Sequence, residues 1–244
     1  MVRSQSLTQS TMGEGPLIRW DWIRDNLNDP ILPLLVEHLQ LSLIPLLFGL
    51  VIALPVGLAC ARWQRVYPLA LTVVNVLYAV PSIALFFLLL PYTSFSAWTA
   101  IIPLTIYSLV ILVPNVADGV RQVPQHVRQA AVAMGFGPVR RLLTVELPVA
   151  IPVVVAGLRV AAVATISMVS VASLVGLGGL GQLILSWGFD RQFATPIIVG
   201  TVLSVLLAFA VDGLLVLAQR WLTPWTREQR PHRVRGLLGG GRWS

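Results

Sequence analysis

Lysine is absent from the chain, and all 17 basic residues among its 244 are arginine. That absence excludes a Walker-type phosphate loop, whose lysine must reach the β and γ phosphates, so the chain is no such ATPase by itself. It equally excludes a lysine Schiff base or a lysine general base. Cysteine occurs once, at Cys60 inside an apolar run, so neither an intrachain disulfide nor a cysteine-based metal site is available. The three histidines, His38, His126 and His232, are too scattered to suggest a metal pair, and neither H-E-x-x-H nor G-x-S-x-G occurs. Charge is scarce as well: 11% of the residues are charged against 56% hydrophobic, far from the balance of a soluble domain. Lipid is the solvent this composition suits. The net charge of +7 would fit nucleic acid, but the arginines stand in short blocks beside long apolar runs, where they set topology. Membrane lipid is therefore an expected partner and nucleic acid is not.

What is present is a series of apolar runs of spanning length. Residues 39 to 61 carry no charge, and at ~1.5 Å rise per residue they cover about 35 Å, enough for a hydrocarbon core of ~30 Å. Between Arg65 and Asp118 lie 52 uncharged residues, which is two crossings with a turn. The break belongs at Pro91 to Trp98, where a helix breaker, turn formers and interfacial aromatics coincide. Spans two and three are thus expected over 67–90 and 99–117. A fourth is expected over 149–175 and a fifth over 196–218, giving an all-α integral membrane protein of about five transmembrane helices. Pro45, Pro55, Pro81 and Pro103 are each expected to kink or locally open a span.

Arginine placement sets the orientation. Arg62 and Arg65 lie between spans one and two, Arg121, Arg128, Arg140 and Arg141 between three and four, and six arginines follow span five. The positive-inside rule makes that shared side cytoplasmic, with the N-terminus outside and the C-terminus inside. Domain organisation follows: an extracytoplasmic segment 1–37, a transmembrane domain 38–222 and a basic cytoplasmic tail 223–244. Segment 1–37 has no apolar core of a cleaved signal peptide. Within it Trp20, Asp21, Trp22, Ile23 and Leu27 can form a short interfacial helix, with a disordered leader as the alternative.

The polar stretch 118–147 is the distinctive loop. Pro124 is placed to open a helix, and Gly135 and Gly137 can supply the positive φ that closes it. Pro138 opens a second helix leading into span four. Ala130, Ala131 and Ala133 would let another protein approach the backbone, and Met134 and Phe136 add apolar contacts next to a tight turn. On the residues alone, an ordinary basic inter-span loop is the commoner alternative.

The spacing of Gln129-Ala130-Ala131, Gly135 and Val145-Glu146-Leu147-Pro148 resembles the E-A-A-x-x-x-G and I-x-L-P signature of membrane subunits of ATP-binding-cassette importers. Gln129 stands where that family carries glutamate, and Val145 where it carries isoleucine. The runs Ala156-Gly157-Leu158-Arg159 and Leu174 to Gly181, with His38-Leu39-Gln40-Leu41-Ser42, resemble the osmoprotectant branch, and the likeness covers most of the chain. The resemblance implies a type I importer permease fold in the bacterial inner membrane and no ATPase site or cofactor in this chain. It implies ATP and Mg on a separate nucleotide-binding subunit, into whose cleft Gln129, Ala130, Ala131, Met134, Gly135 and Phe136 would insert as a coupling helix-turn-helix. It further implies an extracytoplasmic solute-binding protein and a second permease chain, identical or related.

Gly176, Gly178 and Gly181 satisfy G-x-G-x-x-G, but no βαβ unit surrounds them, so the dinucleotide reading is rejected. With Gly179 they mark a break in helix four, read either as part of a gate or as an outer loop of small residues packed for close approach. Arg159 lies about 16 Å into span four from Pro148, and Asp212 about 12 Å from the cytoplasmic end of span five, counted at ~1.5 Å per residue. Charges at such depths either approach one another, or Arg159 lines the inner part of the path, or both snorkel to the cytoplasmic interface. The function implied is import of glycine betaine, carnitine, choline or proline betaine. A methionine-type importer is the nearest alternative, and an ion-coupled carrier a more distant one that leaves the loop unexplained.

Overall fold

The structure is a computed structural model and describes residues 17–224. The basic tail beyond Pro224 and the leader before Leu17 lie outside these residues. Every regular element described is helical. In chain order they are α1 (Trp20–Asp25), α2 (Leu32–Arg62), α3 (Val66–Ala79), α4 (Ser82–Thr93), α5 (Trp98–Arg121), α6 (Gln125–Ala133), α7 (Pro138–Arg141), α8 (Leu147–Ala172) and α9 (Ala194–Leu222). Wide π turns at Leu142–Glu146 and Leu183–Phe189 lead into or out of the long helices, and over Leu27–Ile31 the chain kinks through extended backbone at Asp29 into α2.

Helix α2 begins seven residues before the expected span and runs for 31 residues, about 46 Å at ~1.5 Å each. Pro45 and Pro55 lie inside it without ending it. The expected second span is instead a pair: α3 and α4 are bent by 84° at Val80-Pro81. Pro81 has no N–H to continue the α3 ladder, and Val80 goes extended at ψ 128° as residues before proline do. A broken helix at membrane depth frees carbonyls that need donors. The Tyr107 hydroxyl on α5 supplies one, donating to the Val80 carbonyl, while its ring meets Tyr78 edge-on at 5.3 Å.

Helix α5 is the central post, with 61% of its most apolar stretch buried against 6% for α9. Leu112, Val113, Val116 and Ala117 of α5 meet Ala53 and Cys60 of α2 and Ala161, Ala162 and Ile166 of α8 in one core. With lipid outside, close backbone approach holds helices together better than bulk apolarity does. Two glycines permit it here. A Cβ on Gly57 would press into Val116, and one on Gly157 would overlap the Asn115 side chain. Helix α1 forms where the interfacial helix was expected, although Leu27 falls into the following kink. It is docked on the far end of the chain: Trp22 packs edge-on against Phe193 at 5.5 Å, and the Arg19 amide donates to Thr195 Oγ1 at 3.0 Å.

Candidate functional site

The loop between α5 and α8 is the expected helix-turn-helix. Pro124 precedes α6, and α6 closes in a Schellman pattern: Phe136 N–H donates to the Ala131 carbonyl at 3.0 Å and Gly135 N–H to Val132 at 2.9 Å. Gly135 holds φ +79°, a conformation a side chain would strain. Gly137 does not share that role, because at φ −65° and ψ 165° it is ordinary extended backbone leading into Pro138. A second expectation is also corrected. Ala131 is buried at 1% exposure and faces inward, so it offers nothing to a partner. At 3.6 residues per turn it cannot share a face with both its neighbours. Gln129, Ala130, Ala133 and Met134 form the exposed side, and Phe136 is half-covered by the Arg140 guanidinium 4.3 Å above its ring.

Beneath this loop lies a charge cluster. Glu146, in the π turn before α8, is buried, and its Oε1 accepts from Arg141 Nε at 2.9 Å, with Arg128 Nε at 3.8 Å. Arg128 Nη2 also donates to the Val120 carbonyl at 2.5 Å. Burial of a carboxylate is costly unless it is ion-paired and hydrogen-bonded in this way. Arg128 rides on α6, Arg141 on α7 and Val120 on α5, so one carboxylate ties both loop helices to both flanking spans. Arg121 does similar work nearby, donating to the Cys60 carbonyl at 2.8 Å and stacking 4.0 Å over the Tyr67 ring.

Between α8 and α9, Arg159 and Asp212 meet as a half-buried bidentate pair, Nε to Oδ1 at 2.6 Å and Nη2 to Oδ2 at 2.8 Å. The pair joins α8 to α9. Each group finds its partner across the helix interface, which replaces the snorkelling alternative. Asp212 also lines a groove of about 470 Å³ between these helices. Its wall mixes Ser167, Ser170, Thr201 and Ser204 with the ring of Phe209.

The glycine-rich segment is neither helix nor exposed loop. After Val175 the chain turns through positive φ at Gly176, Gly178 and Gly179, and 177–181 is buried throughout. Two residues near the start of α2 hold it. Glu37 Oε2 accepts from the Gly179 amide at 2.9 Å, and His38 Nδ1 accepts from the Leu180 amide at 3.1 Å. Because Nδ1 is an acceptor, the ring proton sits on Nε2, which donates to the Ile166 carbonyl at 3.0 Å. A Cβ on Gly178 would collide with the Glu37 carboxylate. Backbone without a helical ladder is thus satisfied inside protein.

The loop thus precedes the fourth apolar span, the bent α3–α4 pair counted as one, and the chain matches a known family over residues 33–224: the binding-protein-dependent transport system inner membrane component. The chain belongs to this family. It is a multi-pass membrane protein and a permease of ABC importer type. Over 188 residues it is 32% identical to the choline transport system permease protein OpuBB of Bacillus subtilis, covering 77% of this chain and 86% of that protein. It is 30% identical to the glycine betaine/carnitine/choline transport system permease protein OpuCB of the same organism over the same shares. The osmoprotectant import permease protein OsmW of Salmonella typhimurium is 32% identical over 77% of this chain and 89% of its own. Among solved structures, the inward-facing MetNI methionine ABC transporter matches at TM-score 0.71 and 27% identity, covering 80% of this chain and 99% of that one. The fold is that of a type I ABC importer permease.

Two supporting residues, Glu37 and Glu146, stand in no motif that singles them out as anchors. A signal existed in both cases, since a lone carboxylate bordering an apolar run requires a partner. Which partner it takes is set by the fold.

Proposed function

We propose that this permease is the transmembrane subunit of an ATP-driven importer for quaternary-ammonium compatible solutes, with choline, glycine betaine and carnitine as the substrate class. The observation that carries the reading is the 118–147 loop, whose helix α6 exposes Gln129, Ala130, Ala133 and Met134 while Glu146 braces it from below. An exposed face on a rigidly tied helix suits insertion in another protein's groove. That protein is a nucleotide-binding subunit, where ATP and Mg reside, and its closure would move α6 and hence α5 and α8. The arginine-rich side is cytoplasmic and the N-terminus outside. An extracytoplasmic binding protein delivers the solute, holding its ammonium in an aromatic cage by cation-π attraction. A second permease chain completes the pathway.

The names of the relatives carry the substrate class. Their spread across choline, carnitine and betaine supports a class rather than one solute, and the likeness to the methionine transporter is one of fold. Arg159, Asp212 and the Ser/Thr groove beside them belong to the translocation path, with Gly176, Gly178, Gly179 and Gly181 at its gate. The test is reconstitution in vesicles with the ATPase subunit and the binding protein, offering labelled choline, glycine betaine, carnitine and methionine. ATP-dependent uptake of the quaternary amines is expected. Uptake without the ATPase would refute the importer class, and uptake of methionine alone would refute the substrate class. Gln129→Glu tests the loop, which is expected to change the ATP hydrolysed per solute moved without changing assembly.

A further inference from the structure

A second cavity, of about 560 Å³, opens between the last two turns of α2 and helix α7. Its lining combines two chemistries. Pro55 and Leu58 of α2 and Leu142 beyond α7 are apolar, whereas Arg62, Arg128 and Arg141 are cationic. Seven residues separate Pro55 from Arg62, about 10 Å along the helix at ~1.5 Å each. Arg62 and Trp63 also end the apolar run of α2, so the charged end lies at the membrane surface and the apolar end within the hydrocarbon. At the rim Trp63 and Val139 are 58% and 70% exposed, apolar groups placed where acyl chains meet headgroups.

The charges at this site do not cancel. Three guanidinium groups face one carboxylate, Glu146, which is already bonded to Arg141. Arg62 makes no ion pair or hydrogen bond with any described residue, and the Nε of Arg128 is buried without a hydrogen-bond partner. Surplus guanidinium donors suit a phosphate diester, which accepts from several arginines at once. A basic pocket at the surface end of spanning helices, continuous with an apolar wall, suits a lipid headgroup. We propose that this cavity is a binding site for an anionic phospholipid, its phosphate held by Arg62, Arg128 and Arg141 and its acyl chains laid along Pro55 and Leu58. Because two of those arginines also brace the loop through Glu146, the lipid stiffens the platform of α6 and α7.

The experiment uses the purified full-length chain in nanodiscs of phosphatidylcholine containing a minority of phosphatidylglycerol, with retained lipid counted by native mass spectrometry after transfer to detergent. The wild type is expected to retain phosphatidylglycerol above its share of the bilayer. Arg62→Gln removes the arginine whose guanidinium has no partner among the described residues and is expected to lower that preference about fivefold, the worth of one arginine at an anionic surface. Arg65→Gln, one turn beyond and outside the cavity, controls for general surface charge and is expected to leave most of the preference intact. Equal retention of the two lipids overturns the proposal, as does equal loss in the Arg62 and Arg65 variants. Glycerol phosphate is expected not to displace the lipid, and displacement by it would show a soluble-phosphate site and overturn the assignment to lipid.

Discussion

His38 is buried at 0% exposure with both ring nitrogens engaged, and its removal should loosen the glycine-rich segment more than any other part of the molecule. In His38→Ala the Leu180 amide, also fully buried, loses its acceptor, which costs about 1–3 kcal/mol. The void left by the imidazole, roughly 60 Å³, adds about 1.5 kcal/mol at ~24 cal/mol per Å³. Together these come to about 2.5–4.5 kcal/mol, so local opening of 176–182 should rise by roughly two to three orders of magnitude. Hydrogen exchange measured by mass spectrometry on the detergent-solubilised chain reads this directly. Peptides covering 176–182 should exchange faster, while those from the middle of α5 should not. His38→Gln retains one acceptor and one donor and should recover much of the protection. If the Ala and Gln variants exchange alike, or if the Ala variant leaves 176–182 unchanged, the clamp from α2 does not hold this segment.

Three further outcomes test other contacts. Arg159→Ala should abolish most solute uptake in reconstituted vesicles, and the exchanged pair Arg159→Asp with Asp212→Arg should restore part of it; loss that the exchange does not repair would mean the positions matter for more than their pairing. Gly57→Ala places a methyl group against Val116 and should cost about 1–3 kcal/mol in detergent unfolding, with Val116→Ala relieving it. Glu146→Gln removes the charge shared by Arg128 and Arg141 and should raise the rate of proteolytic cleavage between 124 and 141 without altering membrane insertion; unchanged cleavage would show that the loop is held by its apolar contacts instead.

Apolar run length decided the fold class, because lipid offers no partner for unpaired backbone and leaves helix as the one open structure for such runs. That reasoning needs no partner residue, so it works from sequence alone. The same holds for the paired openings of α6 and α7 at Pro124 and Pro138, for the positive φ at Gly135, and for the turn expected at Pro91 to Trp98, although α4 runs through Pro91 to Thr93 and the turn itself is 94–97. Local chemistry set these. It overreached at Gly137, where proline directly after it keeps the backbone extended, and at Ala131, where helical phase turns one alanine of the run inward.

The depth of a charge along its helix could be counted from sequence, and that count placed Arg159 and Asp212 within reach of one another. Their direction around the helix axis could not, since it depends on how α8 and α9 rotate as they pack. The 84° break at Val80-Pro81 is similar: proline marked the place, but the angle is stable because Tyr107 from α5 supplies the missing donor. What the sequence by itself determined was absence and periodicity: no lysine for phosphate, no cysteine chemistry, and apolar runs separated by arginine. Which buried polar group meets which was left to tertiary structure. Glu37 and His38 reach across some 140 positions to Gly179 and Leu180. Such a pairing costs little free energy once α2 and α8 are packed, and nothing in either segment alone encodes it.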